Sequence, residues 1–198
     1  MHNKTASAQV NLSQLIIIDM QIKLASAMPQ DAMQIATKNC SLLTQAASLL
    51  GVPIIITEQY PQGLGATLPE ITQFAPVLKP IAKTAFSALS EPTFKQQLNR
   101  NRSQIMLAGM ESHICILQTA LALTALTTIG ATSGDNKPAK QVFVVEDAII
   151  SRNISNKINA VARMRDAGCI VTNTESVLFE WLTNANHPLF KEISQLIR

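Results

Sequence analysis

Residues 105–121, IMLAGMESHICILQTAL, contain the pattern that decides the fold. An unbroken apolar run at 105–108 leads through a short polar stretch into residues with helical spacing. Apolar runs without alternation are typical of strands that are buried on both faces, as in parallel sheets covered by helices. Four further runs of this kind occur, at 15–18, 52–57, 142–145 and 170–172.

Helical patterns alternate with these runs. They cover about 31–50, 113–129, 156–167 and 175–183, and a glycine follows each of the first three. We therefore predict an α/β fold, a three-layer αβα sandwich around a mostly parallel, doubly wound sheet of five or six strands. The prediction is one domain over 1–198, with 1–11 as a flexible tail and 131–140 as an exposed loop.

Composition narrows the class of function. Charged residues make up 15% of the chain, against roughly 25% in an average soluble protein, which fits a homo-oligomer. The net charge of +3 is scattered and aromatic residues are 4%, so we expect no nucleic-acid partner. The chain shows no signal peptide or membrane span, and three widely spaced cysteines indicate reduced thiols, so a cytoplasmic location without membrane contact is expected.

Reactive residues are expected just beyond the carboxyl ends of the strands, where ligands bind in open parallel sheets. Cys115 follows the third run; if Ser112 caps the next helix, the first turn would favour a thiolate there. The alternative, a small core residue, is equally compatible with this position. His113 points to another face of the helix, so the base would be a carboxylate. Asp19, which ends the first run, is the best placed, although a turn or cap role stays open.

Five motifs resemble a known family. LIIIDMQ (15–21), KTAFSAL (83–89), AGMESHICILQTAL (108–121) and VFVVEDAIISRN (142–153) resemble the isochorismatase-like cysteine hydrolases. ITEQYPQGLGATLPEI (56–71) is similar to the branch named isochorismatase domain-containing proteins. The resemblance extends from about residue 12 to 182.

The resemblance implies a catalytic triad of Asp19, Lys83 and Cys115. The aspartate would take the thiol proton, the lysine would stabilise negative charge, and the thiolate would attack a carbonyl carbon to form a thioester that water hydrolyses. A cysteine nucleophile favours a small amide-like carbonyl substrate over the vinyl ether of true isochorismatases.

The family also implies a cis peptide bond, which on this sequence joins Met110 to Glu111. It would aim backbone N–H groups, those of Ser112 or of Ile114 and Cys115, at the developing oxyanion.

Each of three further residues has two possible roles. Gln21 could bond the catalytic carboxylate or make a loop contact, and Tyr60 and Phe86 could line the substrate pocket or belong to the core. We expect no cofactor and no metal, because Glu58-Gln59-Tyr60 stands where nicotinamidases carry zinc ligands. The partners expected are a small-molecule substrate and further copies of the chain.

Two alternatives to the amide hydrolase stay open. The first is a binding or scaffold protein that keeps the fold without turnover, and the second is an isochorismatase-type vinyl-ether hydrolase. A phosphatase built on Asp19 is disfavoured, because Asp19-Met20-Gln21 lacks a second acid to hold magnesium.

Overall fold

A six-stranded parallel sheet forms the centre of the molecule. The computed structural model describes residues 7–132 and 140–197. The strands, in chain order, are β1 (Ser13–Ile18), β2 (Ile54–Gln59), β3 (Ile81–Lys83), β4 (Gln104–Met110), β5 (Gln141–Ile150) and β6 (Ile170–Thr172). Their spatial order is β3-β2-β1-β4-β5-β6, and every neighbouring pair is parallel. The predicted doubly wound α/β class is confirmed.

Nine α-helices are present in the described ranges. They are α1 (Ile22–Ala25), α2 (Gln30–Leu49), α3 (Pro61–Leu64), α4 (Pro69–Thr72), α5 (Pro92–Gln97), α6 (Leu117–Thr132), α7 (Ile154–Asp166), α8 (Thr174–Leu182) and α9 (Phe190–Leu196). The four predicted helices correspond to α2, α6, α7 and α8. The predicted end of the second, at residue 129 before Gly130, was wrong by three residues, because α6 continues to Thr132.

Helices cover both faces of the sheet. Leu15 and Ile17 of β1 belong to one core cluster with residues of α2, α8 and α9, such as Leu43 and Trp181. Ile16 and Ile18 face the opposite cluster, which contains residues of α5, α6 and α7. The unbroken apolar run of β1 is therefore required, since both of its faces are buried.

Strands β1 and β4 approach very closely at their carboxyl ends, where Ile18 pairs with Gly109. Gly109 has a φ of 123°, and a Cβ added there would lie 2.0 Å from the carbonyl oxygen of Ile18. Only glycine fits this position, because both the backbone conformation and the space exclude a side chain.

The predicted flexible tail was wrong for residues 7–11. Ala8 is buried and its N–H donates a 2.6 Å hydrogen bond to Oε2 of Glu180, while the Gln9 N–H donates to Gln104 Oε1 at 2.7 Å. These long-range bonds fix the segment beside the sheet. Residues 1–6 of that prediction lie outside the described residues.

The predicted loop at 131–140 is described only at its ends. Residues 131 and 132 belong to α6, so the loop prediction was wrong there. Residues 133–139 lie outside the described part of the chain. In the described ranges every helix falls short of the length or the apolar character that crossing a bilayer requires.

Candidate active site

The carboxyl ends of four neighbouring strands bring the three predicted catalytic residues together. Asp19 directly follows β1, Lys83 is the last residue of β3, and Cys115 lies in a π-helical turn (Ser112–Ile116) between β4 and α6. The chain order reverses between β1 and β4, so Asp19 and Cys115 flank the switch point at which open parallel sheets bind ligands. All three residues are buried.

Asp19 and Lys83 form a solvent-inaccessible ion pair. Oδ2 of Asp19 lies 2.6 Å from Nζ of Lys83, and neither side chain is exposed. Oδ1 of Asp19 accepts a 2.7 Å hydrogen bond from the hydroxyl of Thr57, on β2. Asp19 also has a left-handed backbone with φ of 53°, a conformation that is uncommon for non-glycine residues and often occurs at functional sites.

The Lys83 ammonium is surrounded by oxygen atoms. Nζ donates to Oε1 of Gln59 at 2.6 Å and to the carbonyl oxygens of Ala85 and Phe86, both at 3.2 Å. These neutral dipoles and the Asp19 carboxylate together compensate a charge that is buried away from water.

The Cys115 thiol retains its proton more strongly than an ordinary cysteine. Burial, followed by the negative charge of Asp19, raises its pKa from 9.0 to about 12, although the charge of Lys83 acts in the opposite direction. The expectation that the helix start would favour a thiolate was therefore wrong for this structure. Burial and the Asp19 carboxylate both disfavour the thiolate, and Lys83 favours it less strongly.

The predicted cap of this helix was also wrong. Glu111 occupies the N-cap position, and no side chain caps the turn. Ser112 is instead the first residue of the turn and is fully buried. Its hydroxyl has no hydrogen-bond partner among the described residues.

The peptide bond between Met110 and Glu111 is cis, as the resemblance implies. The Glu111 carbonyl oxygen accepts hydrogen bonds from the N–H groups of Ile114 at 3.1 Å and Ile116 at 3.2 Å. The Ile114 N–H is therefore engaged within the turn. The Glu111 carboxylate accepts from the backbone N–H and from Nε of Arg152, at 3.0 and 3.1 Å, which links the turn to the end of β5.

Gln21 does not bond the Asp19 carboxylate. Its Nε2 donates to the carbonyl oxygens of Gln59 and Gly65, and its Oε1 accepts from the N–H of Gln59. The loop-contact alternative is therefore the one observed. Tyr60 and Phe86 are both about half exposed, so neither is a core residue.

Sequence reasoning missed Thr57 and Gln59. Both lie near the end of β2, and the parallel pairing places Thr57 beside Ile18 and Gln59 beside Lys83. The polar residues at the end of an otherwise apolar strand were the available signal, but the pairing that gives them their partners is not visible in the sequence.

Two surface cavities lie away from this site. One surface cavity lies among α1, α2 and α4, and another lies between α2 and the end of β5; neither is lined by the three residues. In the ranges 7–132 and 140–197, no group of three His, Cys, Asp or Glu side chains is arranged to hold a metal ion. The candidate site is therefore defined by its buried side chains.

Comparisons with known proteins identify the family of this chain. The family model described as "Isochorismatase domain" matches residues 13–176. Isochorismatase domain-containing protein 2 of Bos taurus is 37% identical over 188 residues, which cover 94% of this chain and 83% of the relative.

Solved structures show the same fold. The MAR1 ribonuclease of Caenorhabditis elegans superimposes with a TM-score of 0.84 at 32% identity, covering 96% of this chain and 92% of that one. The YcaC gene product of Escherichia coli, described as an octameric hydrolase of unknown specificity, has a TM-score of 0.83 at 21% identity, covering 98% and 91%. The family match spans most of the chain, including all three residues of the candidate site. The chain therefore belongs to the isochorismatase-domain family.

Proposed function

We propose that this chain is a cysteine hydrolase that cleaves a small amide-like carbonyl compound through a thioester on Cys115. The observation that carries the proposal is the solvent-inaccessible Asp19–Lys83 pair, 2.6 Å apart, acting on a buried thiol at the switch point of the sheet. Such a combination of nucleophile, base and cation is the arrangement that acyl transfer requires.

In the first half of the reaction, the Cys115 sulfur forms a bond to the substrate carbonyl carbon while its proton passes to the Asp19 carboxylate. The thiol with a pKa of about 12 is protonated at neutral pH, so a base must act during the attack. The carbonyl electron pair moves onto oxygen, where the charge of Lys83 and backbone N–H groups of the turn, such as that of Cys115, stabilise it.

In the second half, the carbon–nitrogen bond breaks and the amine leaves with the proton held by Asp19. Water then attacks the thioester and transfers a proton to Asp19, the carbon–sulfur bond breaks, and the proton returns to the thiol. The products are a carboxylic acid and an amine, and the site is restored.

The burial of the three residues supports a small substrate. Asp19 and Lys83 are inaccessible and Cys115 is 6% exposed, so a polynucleotide backbone would not reach them without opening the site. One structural relative is nevertheless named a ribonuclease, and RNA therefore belongs among the compounds to be tested. We also propose a homo-oligomer, which the 15% content of charged residues supports and light scattering would test.

The test is turnover of a panel of small amides and esters, with RNA as a separate arm, by the wild-type protein, Cys115→Ala and Asp19→Asn. We expect an acyl adduct on Cys115 in the intact mass of the wild-type protein, and loss of turnover in both variants. Turnover of any panel compound that persists in Cys115→Ala would contradict the mechanism. Inactivity over the whole panel, with no adduct, would favour the binding or scaffold alternative.

A further inference from the structure

Three exposed isoleucines lie beside the cavity between α2 and the end of β5. Ile35 on α2 is 58% exposed, and Ile154 and Ile158 on α7 are 66% and 64% exposed. Ile154 and Ile158 are one helical turn apart and therefore project from the same side of α7. Large apolar side chains that are exposed side by side mark contact surfaces. We call the surface formed by Ile35, Ile154, Lys157 and Ile158 the α7 face.

The α7 face carries both a projection and a recess. The cavity beside it has a volume of about 680 Å³, and Ile35 and Ile154 are among its lining residues. Ile158 projects next to this recess, one residue beyond Lys157, which also lines it. In a two-fold contact the same surface of two copies meets, so a projection on one copy faces the recess of the other. The apolar lining consists of Pro29, Ala32, Ile35, Ile149, Ile150 and Ile154.

The charges around the cavity include both signs. Arg152, Lys157 and Asp147 line it, and Glu146 is exposed next to Asp147. Burial lowers the pKa of Lys157, while the negative charges of Glu146 and Asp147 raise it. A surface with both signs does not repel a second copy of itself, whereas a strongly acidic or basic partner would meet like charges there. The charges therefore favour a second copy of this chain as the occupant.

We propose that the α7 face is where a second copy of this chain docks, about a two-fold axis, with Ile158 of each copy in the cavity of the other. The inference rests on the homo-oligomer proposed above, because it assigns a surface to that oligomer. A stable contact buries about 800 Å² per partner, so the interface extends from the isoleucines over α2 and the end of β5.

The α7 face borders the turn that carries Cys115. Ser151 and Arg152 line the cavity, and both contact that turn. Nδ1 of His113 lies 2.9 Å from the Ser151 hydroxyl oxygen, and the Glu111 carboxylate accepts from the backbone N–H and Nε of Arg152. A docked copy therefore rests against the two residues that join the turn to the end of β5.

The experiment measures the molar mass of the full chain by size-exclusion chromatography with light scattering, at micromolar concentration. The test variants are Ile154→Glu and Ile158→Glu. Leu126→Glu is the matched control, because Leu126 on α6 is also exposed, at 50%, and does not line the cavity. All three side chains are exposed in a single chain, so the fold should survive each change. The fluorescence of Trp181, which is fully buried, reports whether it does.

We expect the wild type to be an assembly and both isoleucine variants to have half its mass, since a two-fold contact joins chains in pairs. Leu126→Glu should keep the wild-type mass. If a glutamate variant does not fold, Ile158→Ser removes the apolar side chain without adding a charge, and it should have the same effect.

A charge exchange tests whether this face meets itself. Lys157→Glu makes the face acidic and Glu146→Lys makes it basic, so each variant alone should lose the contact through repulsion of like charges. An equimolar mixture of the two should regain the wild-type mass. Single variants that keep that mass, or a mixture that does not associate, would contradict the pairing of this face with itself.

The two proposals fail differently. A monomeric wild-type protein would overturn the homo-oligomer and this interface with it. An assembly that persists in folded Ile154→Glu and Ile158→Glu, or that Leu126→Glu dissociates instead, would overturn the role of the α7 face and leave the homo-oligomer standing.

Discussion

The Thr57 hydroxyl donates a 2.7 Å hydrogen bond to Oδ1 of Asp19, and both residues are fully buried. Thr57→Val keeps the shape of the side chain but leaves a buried carboxylate oxygen without its donor, which costs about 1–3 kcal/mol. We expect the free energy of unfolding to fall by that amount and the neutral alkylation rate of Cys115 to fall as the carboxylate loses its orientation. Denaturant titration and alkylation kinetics measure the two effects. Thr57→Ser, which keeps the hydroxyl, is the control; equal behaviour of the two variants would refute the prediction.

The alkylation rates of the three cysteines test whether Asp19 activates the Cys115 thiol. Cys115 and Cys169 are almost equally accessible, at 6% and 5%, while Cys40 is fully buried and donates to the Ala148 carbonyl oxygen. Because exposure cannot distinguish the first two, a faster reaction of Cys115 with iodoacetamide at neutral pH would come from Asp19. We expect Cys115 to react fastest and Cys40 slowest. Equal rates for Cys115 and Cys169 would argue against a base at the site.

Stability should decrease at alkaline pH. Burial raises the pKa of the Cys115 thiol from 9.0 to about 12, so between these values the folded protein holds a proton that the unfolded chain releases. This contribution, of the order of a few kcal/mol, is present below about pH 9 and is lost as the pH rises toward 12. Melting temperatures recorded against pH should therefore fall less steeply for Cys115→Ala than for the wild type. Parallel curves would show that the thiol has no such role.

The two partners of the Glu111–Arg152 contact differ in exposure. The Arg152 side chain is 59% exposed, whereas that of Glu111 is 6% exposed and also accepts the Arg152 backbone N–H. Arg152→Ala removes the surface ion pair alone and should cost at most about 1 kcal/mol. Glu111→Ala also removes the acceptor of the part-buried hydrogen bond from the Arg152 backbone N–H and should cost about 1–3 kcal/mol more. Chemical denaturation of the two variants measures the difference, and the reverse order of stability would contradict this account.

Gly109→Ala should prevent the site from forming. The added Cβ would lie 2.0 Å from the Ile18 carbonyl oxygen, on the strand that leads into Asp19. We expect a loss of more than about 4 kcal/mol, which is exceptional for a single substitution. Loss of soluble protein or of the Trp181 fluorescence transition would confirm it. Gly51→Ala, where no atom lies within 4 Å of the added Cβ, is a control for left-handed glycine and should be much milder.

The apolar runs predicted most of the fold. Five of the six strands follow from them, because a strand buried on both faces needs consecutive apolar residues. Strand β3, Ile81–Lys83, was missed because its central residue is exposed and it ends in a lysine, so it forms no unbroken apolar run. The tail prediction was wrong for residues 7–11 because the partners of Ala8 and Gln9, Glu180 and Gln104, are distant in sequence.

The sequence predicted which side chains would meet at the candidate site better than it predicted their electrostatics. Position along the chain identified Asp19 and Cys115, and the family resemblance identified Lys83. The direction in which the Cys115 pKa shifts was not predictable, because it depends on burial and on a carboxylate that follows a different strand. Thr57 and Gln59 were missed for the same reason, since their function comes from strand pairing.

The strand order determines at which stage of folding the three side chains of the candidate site can come together. Asp19, Lys83 and Cys115 come from three segments that are far apart in sequence and meet only when β1, β2, β3 and β4 are aligned. No fragment of the chain that lacks one of these strands can hold the thiol, the carboxylate and the ammonium together. Reactivity at Cys115 would therefore report completion of the native topology, and a nascent or partly unfolded chain would carry an ordinary, unassisted cysteine.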